Sequence, residues 1–174
     1  MMRRALAGVG LAAALALCGT GAWSYAQARG DDDLAYGRAR DAALADGRAA
    51  VATLSTLDAS TAAHARAGVT TWKSVTSGPL RTQLGRLTPA AGASSRGVVT
   101  DAAITALDDR AGTAKLIATV RVETTPKGAS SASDSASDSA SPERKRLEAV
   151  LARATDGTWK VKTLTAVPVT EVSG

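Results

Sequence analysis

Beyond Pro89 the apolar residues of the chain change from a helical period to a period of two, and that switch leaves few folds open. In "RGVVTDAAITALDD" Val98, Ala102, Ile104 and Ala106 share one parity. In "AKLIATVRVETTP" Leu116, Ala118, Val120 and Val122 alternate with Lys115, Thr119, Arg121 and Glu123, Ile117 being the apolar exception. Such alternation predicts strands with one wet face. Asp109-Arg110-Ala111-Gly112 between them has the chemistry of a hairpin turn. A third run, "KRLEAVLARAT", whose composition also suits a helix, reaches Asp156-Gly157, a strong hairpin signal. In "TWKVKTLTAVPV" beyond it, Trp159 and Val161 alternate with Lys160 and Lys162. Four antiparallel strands in two hairpins follow.

Before Pro89 the spacing is helical. Leu44, Val51 and Leu54 predict one amphipathic helix from about Asp33 to Leu54, despite Gly37 and Gly47. A second helix takes Asp58 or Ser60 as its N-cap, carries Val69, Trp72 and Val75 on one face, and breaks at Gly78-Pro79. A short third one follows with Leu80, Leu84 and Leu87. Helices followed by strands predict an α+β domain, with the helices covering one face of a curved sheet. Phe is absent, so Val, Leu and Ile must build the core, together with Trp72 and Trp159 as its largest apolar side chains. The Ser/Ala/Asp-rich stretch over residues 128–142 has little to bury and is expected to be a disordered loop.

The other constraint lies at the N-terminus. Ala5 to Ala28 is 24 residues without a charge, enough for a helix to cross a bilayer. Arg3 and Arg4 on one flank orient it with the N-terminus inside. Trp23 and Tyr25 fall where an outer aromatic belt sits. The predicted organisation is a cytoplasmic segment over 1–4, a transmembrane anchor over 5–28, an acidic juxtamembrane segment over 29–33 and an extracytoplasmic domain over 34–174. Ala26-Gln27-Ala28 also reads as a signal-peptidase site, which would release the domain to the same side of the membrane. Leu17 before Cys18 is too large for a lipoprotein signal, and Cys18 is the one cysteine, so the domain has no disulfide.

The net charge of +5 falls to +3 without Arg3 and Arg4, too mild for a nucleic-acid partner. The dense cluster is Arg144-Lys145-Arg146, which reads either as a solvated strand end or as a docking patch for anionic lipid or an acidic partner. With one histidine and no thiol beyond the leader, Ser-His-Asp, Cys-His and zinc chemistry lack support, and His64 reads as a surface or packing residue. No catalytic residue, cofactor site or metal site is assigned. Asp108-Asp109 reads as turn chemistry rather than a carboxylate pair.

The single anchor, the helix "ARDAALADGRAAVATLSTLD", the segment "GVTTWKSVTSGPLRTQL", the strands of "VVTDAAITALDDRAGTAKLIATVRV" and the terminal "RKRLEAVLARATDGTWKVKTLTAVPV" together resemble the actinobacterial Mce-associated membrane proteins, accessory proteins of mammalian-cell-entry lipid transporters. The resemblance runs from Ala39 to Val169. It implies a cystatin-like α+β cone of the SnoaL and nuclear transport factor superfamily, and a non-enzymatic accessory subunit whose partners are the bilayer and Mce-type transporter subunits. The alternatives it leaves open are a lipid- or small-hydrophobe-binding module and, third, a SnoaL- or ketosteroid-isomerase-like enzyme. Some cone relatives are isomerases with a pocket Asp base and a Tyr or Asp donor. Here Tyr36 is the one Tyr beyond the leader, and Asp101 has the parity opposite to Val98 and Ile104, so no catalytic residue is carried over.

Overall fold

The computed structural model describes residues 32–127 and 142–168, together with Ser24. The expected anchor with Arg3, Arg4, Trp23 and Tyr25, and the loop over 128–142 save its last residue, lie outside the described residues. Among the described residues no helix is long and apolar enough to cross a membrane. The chain divides into two compact units, Met1–Ala39 and Arg40–Gly174.

Three helices precede four strands: α1 (Asp32–Leu54), α2 (Ala62–Ser74), α3 (Gly78–Gly85), β1 (Ser94–Asp108), β2 (Thr113–Thr125), β3 (Glu143–Arg153) and β4 (Trp159–Val167). The strands form one antiparallel sheet in the order β1-β2-β3-β4. This is the α+β arrangement the periodicities predict, and the third run is a strand, since its Ala149 and Leu151 alternate into the core.

In the second unit, α1 buries Ala43, Gly47, Ala50 and Val51, spaced at i, i+4, i+7 and i+8. Small residues on that stripe let the helix sit close to the sheet. A Cβ on Gly47 would stand 2.6 Å from Leu116 Cδ1 and 2.9 Å from Leu151 Cδ1. The core continues through Ala118, Val120, Trp159 and Val161. Asp46 adds a polar tie, its Oδ2 accepting the Trp159 backbone N–H at 2.8 Å.

Several expectations are corrected. The N-cap of α2 is Thr61, whose hydroxyl accepts the His64 N–H; Asp58 turns its carboxylate onto the Ser60 N–H instead. Gly78-Pro79 is a beginning, not a break: α2 has already ended at Ser74, and Pro79 stands in the first turn of α3, where its missing N–H costs nothing. In β1, register shifts at Val99/Asp101 and Ile104/Ala106 each reverse the parity. Val99, Ala102, Ile104 and Leu107 therefore pack toward the core, whereas Val98 is 50% exposed and Ala106 is exposed. β2, with no such shift against β3, keeps the predicted alternation.

The interhelical segments shield both edge strands. Leu57 and Ser95 exchange two 2.8 Å backbone hydrogen bonds at the β1 edge. At the β4 edge, Ser77 N–H donates to Val161 O and Val161 N–H to Val75 O, around a fully buried Thr76 whose hydroxyl donates to Trp72 O. Pairing of this kind removes open ladder positions that would otherwise recruit other strands.

Candidate functional site

The centre of the helix-facing side is filled. Leu116, Val120, Leu151 and Val161 are all fully buried there, so the chemistry open to a partner or ligand lies on the outside of the domain. Among the described residues no group of three His, Cys, Asp or Glu side chains is placed to hold a metal ion.

The first outer region is the sheet face opposite the helices. Register decides what it presents, because residues paired across antiparallel strands share a face. Lys145 pairs with Val120, a core residue, so Lys145 points to the helix side, where its Nζ meets Glu143 Oε2 at 3.2 Å. Arg144 pairs with Arg121, and Arg146 with Thr119, on the other face. The three consecutive basic residues therefore do not form one patch. Arg144 and Arg146 join Arg121 from the neighbouring strand, and Val98, opposite Arg121 on β1, lies beside them. All three arginines are exposed, and among the described residues none has a carboxylate oxygen within 4.0 Å. Sequence reading missed Arg121 because the pairing register, unlike the alternation, is not written in either strand alone. Asp101 also lies on this face, its Oδ1 accepting the Ala102 N–H, away from the packed interior.

The second outer region is a groove of about 540 Å³ between the end of α1 and α2. Ala52, Thr53, Thr56 and Leu57 form one wall, and Ala67, Gly68, Thr71 and Trp72 the other. Trp72 is half-buried rather than a core residue, whereas Trp159 is buried as expected. The Trp72 indole N–H donates to Thr53 O at 2.8 Å, which also accepts the Thr56 N–H, and to Thr56 O at 3.0 Å just beyond the end of α1.

Asp58 and His64 stand at one end of the groove. His64 Nδ1 lies 3.1 Å from Asp58 Oδ2 and 3.0 Å from Ser60 Oγ. Hydrogen bonds from the Ser60 hydroxyl and N–H, with the nearby His64, hold the Asp58 carboxyl below its ordinary value against a small opposing effect of burial. Ser, His and Asp do meet here, but both oxygens address the same ring nitrogen. Activation of a serine needs the hydroxyl on one nitrogen and the carboxylate on the other, so the trio is a turn-and-cap network.

No protein family and no curated protein matches the chain. Among solved structures it is similar to an "Ntf2 like protein involved in plasmid conjugation", with 12% identity and a TM-score of 0.46 over 74% of this chain and 49% of that one. The chain thus spans about half the length of that structure.

Proposed function

We propose that this protein is a membrane-anchored, non-enzymatic accessory subunit of an Mce-type lipid or sterol import complex, and that its extracytoplasmic α+β domain is a docking module. The observation that carries the reading is the Arg121, Arg144 and Arg146 cluster on the uncovered sheet face. Like charges directly opposite one another across strands oppose pairing, and a partner's carboxylates would relieve that repulsion while fixing orientation through guanidinium forks. The uncharged leader behind Arg3 and Arg4 and the resemblance from Ala39 to Val169 supply the membrane side and the kind of complex. Pull-down of the tagged full-length chain from crosslinked native membranes is expected to enrich transporter subunits. Recovery of the chain without any of them would count against this function.

A further inference from the structure

The donors along the groove between α1 and α2 are turned inward. The hydroxyls of Thr53, Thr56 and Thr71 donate to Ala49 O, Ala52 O and Ala67 O, and the Trp72 N–H is held by the Thr53 and Thr56 carbonyls. What these residues offer a ligand is therefore threonine methyl and indole surface, continued by Leu57 and Ala67. A volume of about 540 Å³ lies within the range of small-molecule sites. His64 and Trp72 are eight residues apart on α2, roughly 12 Å of helix, which gives the groove a polar end and an apolar end.

The polar end has a defined hydrogen-bonding sense. The Asp58 carboxylate can only accept, so at 3.1 Å the neutral imidazole carries its hydrogen on Nδ1. Nε2 is then a bare acceptor, and among the described residues it has no partner. An anionic head would meet the ionised Asp58 beside it; a hydroxyl head would donate to Nε2 without that repulsion.

We propose that this groove binds a neutral hydrophobe with a terminal hydroxyl, the hydroxyl donating to His64 Nε2 and the apolar body lying along α2 toward Trp72. This site is independent of the arginine face and of the docking function.

The test uses the full-length chain in nanodiscs and three photoreactive probes of one length: a diazirine-bearing dodecanol, the matching dodecanoic acid and the matching dodecane. The alcohol is expected to label peptides within residues 52–72, and to do so more strongly than the acid. His64→Ala, at an exposed position, lowers alcohol labelling about two- to tenfold, the worth of one net hydrogen bond, and leaves the alkane unchanged. Ala67→Phe, also exposed, fills the groove and removes labelling by both, while Val98→Phe on the open sheet face changes nothing. Labelling outside residues 52–72, or labelling there that survives Ala67→Phe, overturns the site. Acid labelling equal to or above alcohol labelling, or alcohol labelling unaltered by His64→Ala, overturns the hydroxyl recognition. Circular dichroism of each variant confirms the fold, and charge reversal of the arginines should leave labelling intact whether or not docking is lost.

Discussion

On the helix side of the sheet, Leu116 and Leu151 are fully buried and Gly47 lets the α1 backbone approach them so closely that a methyl group would collide. On the other side of the same two strands, Arg121 faces Arg144, and no carboxylate among the described residues answers either. One strand pair thus carries a close-packed face and a face on which two like charges stand opposite one another. Close packing needs no further explanation, because burial and dispersion favour it. Arg121 and Arg144 pair near the end of the β2–β3 ladder, on a face that also carries Asp101, Glu123 and Glu148, so their repulsion is a small cost to stability that the packed face outweighs.

The packed face should break most easily. Leu151→Ala is expected to lower unfolding free energy by about 2 to 5 kcal/mol in urea denaturation, from lost burial plus a cavity. Asp46→Ala removes the carboxylate that receives the Trp159 N–H, and about 1.5 to 3 kcal/mol should be lost with it. The two glycines of α1 give a sharper contrast. Gly47→Ala should destabilise by about 1 to 3 kcal/mol through overpacking, whereas Gly37→Ala, with open space around its Cβ, should add about 1 kcal/mol of helix propensity. Equal effects at the two positions would contradict the close approach of α1 to the sheet.

The open face should respond in the opposite direction. Arg121→Gln is expected to stabilise the domain by about 0.2 to 1 kcal/mol at low salt, with the gain fading in 1 M salt as the repulsion is screened. A loss of stability would mean that the arginines are paired after all. The smallest effect concerns Asp58. Hydrogen bonds from Ser60, aided by His64, hold its folded-state carboxyl below the ordinary carboxylate value. A depressed pKa contributes stability that is present above the unfolded value and is lost as pH falls through the folded one. Urea midpoints should therefore drop as pH descends below about 4. Asp58→Asn should flatten part of that drop, with Asp156, lowered by its hydrogen bonds to Thr158, retaining another part.

The contrast between the faces also marks what was legible in the sequence. β2 could be read residue by residue, since Leu116, Ala118, Val120 and Val122 alternate without interruption and all turn to the core side. β1 could not, because two bulges insert residues whose identity gives no sign of them, and Val98 changed face as a result. The helix order was legible from apolar spacing, while the start of α2 was not: Asp58, Ser60 and Thr61 are all good caps, and it is the Thr61 hydroxyl that the folded backbone brings onto the His64 N–H. The arginine cluster was half visible. Consecutive residues of a strand point to opposite faces, so Lys145 leaves the patch, and the residue that completes it comes from register with a strand more than twenty positions away. The groove was not visible at all. It depends on the crossing of two helices and on Trp72 hydrogen-bonding back to α1, and a tryptophan at helical spacing reads as core.

The most direct test of docking through the open face is the triple charge reversal Arg121→Glu, Arg144→Glu and Arg146→Glu in the full-length chain. It is compared with the unaltered chain by pull-down from crosslinked membranes at matched expression. Facing an acidic partner surface, the variant is predicted to lose at least about tenfold of the recovered transporter subunits while keeping its circular dichroism spectrum. Undiminished recovery from a folded variant would show that the partner engages the protein elsewhere.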